Sequence, residues 1–89
     1  MKKPRLDAPV FDEAPTAPTL TDYDRLHLVT YLRLLDAEAA GADPDEVARV
    51  VLRLDPAADP ERARRVHASH LARARWMSES GYRHLLRSG

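Results

Sequence analysis

The chain has 89 residues, 44% hydrophobic but only 6% aromatic, with no cysteine and a formal net charge of zero. That length allows one domain with a core built mainly from Leu, Val and Ala, and the missing cysteines exclude disulfides, thiolate catalysis and cysteine-based zinc sites. The neutral total hides a dipole: residues 21–60 carry four Arg against nine acids, and residues 61–89 carry seven Arg against two. The two halves can attract each other within the fold, or the basic end can meet a phosphate backbone or an acidic protein surface.

Residues 1–19 hold Pro4, Pro9, Pro15 and Pro18 and show no periodicity. Prolines at this density interrupt helices and sheet ladders alike, so a disordered Pro-rich N-terminal tail is expected. Leu6, Val10, Phe11 and Leu20 are its apolar anchors. Either they fold back on the domain or they order on binding a partner. No apolar run reaches the roughly 20 residues that cross a bilayer. Met1-Lys2-Lys3 continues into Pro4, Arg5 and Asp7 rather than the apolar stretch of a signal peptide. A cytoplasmic protein with no membrane partner is expected.

The domain proper is expected over residues 20–89. Its first helix starts at Thr21, with Asp24 three residues on in a capping-box position, and runs to about Ala40 before Gly41. It carries two apolar stripes. Leu28, Leu32, Leu35 and Ala39 form one; Tyr23, Leu26, Thr30, Leu34 and Ala37 form the other, on nearly the opposite side. A surface helix shows one stripe. Two stripes imply a helix buried on both sides, or one that offers its second face to a partner.

The second helix opens on Asp43-Pro44-Asp45-Glu46, with Asp43 as N-cap and Pro44 at N1. Val47, Val50, Val51 and Leu54 follow at helical spacing, and Pro56 ends it. The connector Asp55–Asp59 leads into a third helix from Pro60 to about Ser80, closed by Gly81. Ala63, Val66, His70, Ala74 and Met77 mark its core face, with Arg64 and Arg75 straddling it. Tyr82, Leu85 and Leu86 suggest a final short turn. There is no strand-like alternation, so the fold class is all-α: a compact three- to four-helix, helix-turn-helix-like domain.

Three constellations bear on function. Arg62, Arg65, Ser69, Arg73 and Trp76 fall on one side of the third helix. Such a face suits DNA, where Arg meets phosphates and guanine edges. It equally suits a protein interface, where Trp and Arg are frequent hot spots, or a plain solvated surface. His67 and His70 stand at i and i+3, but no acid or cysteine in the helix completes a metal set, so no metal is expected. Ser69 beside His70 is no dyad, because neighbours on a helix diverge by about 100°. With no nucleophile–base pair and no phosphate loop, neither catalysis nor a cofactor is expected. Asp55, Asp59 and Glu61 feed the third helix with negative charge where a helix-turn-helix motif meets phosphates, which lowers affinity for DNA.

The stretch Tyr31-Leu32-Arg33-Leu34-Leu35-Asp36, then Gly41-Ala42-Asp43 and Glu46-Val47-Ala48, and an Arg-rich helix closing on Gly81-Tyr82-Arg83-His84-Leu85-Leu86, resembles a family of helix-turn-helix-like regulators. Its members include the DNA-binding domains of RovC-like and FseA-type activators and small stand-alone antiactivators of the QseM type. The resemblance covers about residues 21–87. It implies an antiactivator that binds a larger activator carrying a related domain and so represses excision and conjugative transfer of an integrative and conjugative element. The free protein would be monomeric. Tyr23, Leu26, Leu34, Arg62, Arg65, Ser69, Arg73 and Trp76 are the partner-binding residues under this reading. The alternative is a DNA-binding regulator that uses the Arg-rich third helix.

Overall fold

The computed structural model describes residues 9–81. The expected final turn at Tyr82, Leu85 and Leu86, and the anchor Leu6, lie outside them. The described residues form helices α1 (Asp22–Leu26), α2 (Leu28–Ala39), α3 (Pro44–Val50) and α4 (Pro60–Trp76), followed by a π-helical turn, Met77–Gly81. None of these residues is in a strand.

Side-chain caps start three of the helices. Thr21 accepts from the Asp24 amide at 3.1 Å while Asp24 accepts from the Thr21 amide at 2.9 Å, a complete capping box. Asp43 accepts from the Glu46 amide and Asp59 from the Arg62 amide, each ahead of a proline at N1. At the end of α2, Gly41 is left-handed at φ 71°. Its amide bonds the Glu38 carbonyl and the Ala42 amide bonds the Ala37 carbonyl, which is a Schellman closure.

The predicted first helix is divided at His27, whose φ of −104° and ψ of 20° leave the helical region. Its backbone amide is shared between the Tyr23 and Asp24 carbonyls, and its ring Nδ1 lies 2.8 Å from the Tyr23 carbonyl oxygen. The second helix ends at Val50, sooner than its valine spacing predicts. Arg53 takes a left-handed φ of 59°, and the Leu54 amide turns back to the Ala48 carbonyl at 3.0 Å. Leu54 therefore reaches the core from a chain reversal, and Val50 is left 56% exposed. The link from Val51 to Asp59 is longer than the three- or four-residue turn of a tight helix-turn-helix.

The core face predicted for α4 is correct: Ala63, Val66, His70, Ala74 and Met77 are all buried. This helix, not α2, is the central element, since α2 and α3 both pack on it. Leu34, Val47, Leu52, Val66 and Leu71 make one cluster, and Tyr31, Ala74 and Met77 make a second. The stripe through Thr30 and Leu34 faces inward, and Leu32 on the other stripe is 57% exposed. Leu34, at 1% exposure, is thus a core residue and cannot meet a partner in the folded domain. Tyr23 and Leu26 are half-buried.

Candidate nucleic-acid interface

The surface of α4 is set by what lies beside it. Residues 9–20 form neither helix nor strand, as their prolines lead one to expect, yet they run along one flank of α4 in the same direction as the helix. The Pro9 carbonyl meets His27 Nε2 at 2.8 Å. Val10 and Leu20 pack against the two core clusters, which is the fold-back alternative for these anchors. Phe11 donates its amide to the Tyr23 hydroxyl at 3.0 Å, and the two rings lie 5.0 Å apart. The Ala14 amide donates to Ser69 Oγ at 2.8 Å, and Ala14 is buried.

Arg73 carries the strongest of these attachments. Its Nε and Nη2 donate to the two oxygens of Asp24 at 3.0 and 2.6 Å. Nη1 donates to the Ala17 carbonyl at 2.8 Å, and Nη2 also donates to the Thr19 carbonyl at 3.1 Å. Its guanidinium stacks over the half-buried Trp76 ring at 3.9 Å. Asp24 also accepts from the Tyr31 hydroxyl at 2.8 Å. Burial pushes the Asp24 carboxyl up, but the hydrogen bonds from Arg73, Thr21 and Tyr31, with the charge of Arg73, outweigh that and hold it below the usual carboxylate range. Burial, reinforced by the bond to this carboxylate, drives the Tyr31 hydroxyl strongly upward.

Alongside runs a second chain of bonds. The Tyr23 hydroxyl, which accepts from Phe11, donates to His70 Nε2 at 2.5 Å, and His70 Nδ1 donates to the Val66 carbonyl at 2.8 Å. This assigns His70 the neutral Nδ1–H tautomer. Burial lowers its proton affinity, as it does for the half-buried His67. Both imidazoles and Asp24 therefore bind protons less readily in the folded chain than in the unfolded one. Stability should be level between about pH 7 and 8 and decline below about 6.5, as the unfolded chain takes up protons at His70 and His67. The Asp24 contribution is full above about pH 4 and is lost as pH falls further, through its lowered folded-state value. Thermal melts from pH 8 to pH 3 test this; a melting temperature that stays constant from pH 7 to pH 5 would contradict the histidine assignment.

The structure thus divides the predicted Arg stripe. Arg73 is buried in an ion pair, Ser69 is bonded to the arm, and Trp76 covers Arg73. Arg62 Nε bonds Asp12 at 2.8 Å, and Arg65 Nη2 lies 3.7 Å from the same carboxylate. The open side of α4 lies about a quarter-turn round. Arg64, Arg65, Ala68, Ala72 and Arg75 are exposed along it, flanked by Glu61 and Glu79. Arg64 and Arg75 do not straddle the core face as predicted; they face solvent. Arg75 pairs with Glu38 of α2, and Arg64 has no ion pair among the described residues.

The carboxylates before α4 also take a different role from the one their charge suggests. Asp55 Oδ1 accepts from the Ala57 and Ala58 amides, and Asp59 Oδ1 from the Arg62 amide. Both thus cap backbone amides, Asp55 in the connecting turn and Asp59 at the positive end of α4.

Residues 4–87 match the family of the RovC DNA-binding domain, described as a T6SS transcription factor DNA-binding domain. No curated protein matches the chain.

Proposed function

The chain belongs to this family of transcription factor DNA-binding domains, and from that premise we propose that it binds duplex DNA through the open face of α4. The observation that carries the reading is the composition of that face: Arg64, Arg65 and Arg75 flank Ala68 and Ala72. Small side chains at the centre let the helix approach the floor of a groove, while guanidinium groups at the edges reach backbone phosphates. Asp45 and Glu46 at the start of α3 are exposed, so that end of α3 adds no positive charge to the face.

Fluorescence anisotropy with a labelled duplex of mixed sequence, at several salt concentrations, tests this. Affinity should fall steeply with salt, and changing Arg64 to Gln should flatten the log–log slope by about one, since each lost phosphate contact removes about 0.9. Absence of salt-dependent binding by the unaltered protein at low salt would overturn the reading.

A second reading, an antiactivator that binds a larger activator with a related domain and represses excision and transfer of a mobile element, has one observation in its favour. Leu32 on α2 and Val50 on α3 are large apolar side chains left open to solvent. Copurification of such an activator from the native host, with no DNA binding by this chain alone, would favour it.

A further inference from the structure

Asp12 occupies a position that the seating of the arm does not require. The arm is fixed on either side of it by the Pro9 carbonyl on His27, by Val10 in the core, by the Ala14 amide on Ser69, and by the Ala17 and Thr19 carbonyls on Arg73. Asp12 itself is half-exposed, as are the two Arg it faces. Pairs of this kind contribute little to folding stability. What the carboxylate does is place one negative charge 2.8 Å from Arg62 and 3.7 Å from Arg65. These are the basic side chains of the first half of α4 on the arm side, and Arg65 lies on the open face itself.

A carboxylate bridging two guanidinium groups offers the same charge and acceptor geometry as a backbone phosphate. We propose that Asp12 is an intramolecular competitor for nucleic-acid phosphate: the arm holds it against Arg62 and Arg65, and a DNA backbone must displace it to reach them. This rests on the DNA-binding reading and adds its regulation. The docked arm lowers affinity at one edge of the interface and leaves Arg64 and Arg75 untouched. Whatever neutralises or moves Asp12 raises affinity by uncovering basic side chains that the fold already holds in place.

The test is anisotropy with the same mixed-sequence duplex, using the full chain and its Asp12→Asn variant. The variant should bind about three- to tenfold more tightly, with a log–log salt slope steeper by about one, as for one added phosphate contact. Glu13→Gln is the control, because it removes the same charge from the next residue, which makes no ion pair with α4 among the described residues. A further pair carries Arg62→Gln and Arg65→Gln with Asp12 either kept or changed to Asn, and between these two proteins the gain should vanish.

An equal gain from Glu13→Gln, or a gain that survives loss of both Arg, would mean a bulk charge effect and would overturn the proposal. No gain from Asp12→Asn while the unaltered protein binds DNA would overturn it too, and leave the DNA-binding reading standing. Failure of every protein to bind would remove that reading and the proposal together. Asp12→Ser should repeat the Asp12→Asn result, and thermal melts by circular dichroism should be close to those of the parent for both.

Discussion

Arg73→Ala should destabilise the domain by about 3–5 kcal/mol, the range seen when one partner of a buried ion pair is removed. The uncompensated charge and the lost hydrogen-bond donors both contribute. Asp24 would stay buried beside Tyr31 with its main donor gone, and the Ala17 and Thr19 carbonyls would lose theirs. A domain of this size has roughly 4–12 kcal/mol of stability in all. The variant should therefore be largely unfolded at modest urea, or partly unfolded without it. Urea titration by far-ultraviolet circular dichroism measures this. Adding Asp24→Asn to an Arg73→Met variant should recover part of the loss, because the stranded charge is then removed as well. A change below about 1 kcal/mol for Arg73→Ala would show that Asp24 finds solvent when its partner goes.

Leu34→Ala is the second large effect, about 2–5 kcal/mol for a fully buried leucine. Leu34 stands where α2 meets Val47 of α3 and Val66 of α4, so its removal opens a cavity at the junction of three helices. Leu32→Ala, two residues away on the open side, should stay within about 0.5 kcal/mol. The pair also separates folding from binding. Any loss of partner or DNA binding on altering Leu34 would follow from unfolding, whereas the same loss at Leu32 would mark a contact.

Local signals in the sequence carried much of this architecture. Thr21 with Asp24, Asp43-Pro44 and Asp59-Pro60 each name a helix start through groups within three residues of one another, and each cap forms as read. The core face of α4 was legible because five buried positions follow helical spacing. The remainder depends on partners distant in the chain. Arg73 shares a composition-based stripe with Arg62 and Arg65, and only Asp24, 49 residues away, determines that its guanidinium is buried. A helical wheel marks neighbours on one element and cannot show which neighbour is covered by another segment. The arm was legible only in part: its anchors Val10 and Leu20 offered the fold-back as one of two alternatives, but most of its hydrogen bonds are made by backbone amides and carbonyls, which leave no periodic trace in the side chains. The early end of α3 turns on Arg53, a residue type with no particular preference for a left-handed backbone.

That mode of attachment has an evolutionary consequence. Every residue type offers a carbonyl, and every one but proline offers an amide. The Pro9, Ala17 and Thr19 carbonyls and the Phe11 and Ala14 amides would engage α1 and α4 through many different side chains at those positions. Selection can therefore rewrite the solvent-facing residues of the arm, position 12 among them, while the main-chain grip keeps the segment in register. A lineage can raise or lower the grip of α4 on its target by single substitutions in a segment whose seating tolerates them, without touching the core.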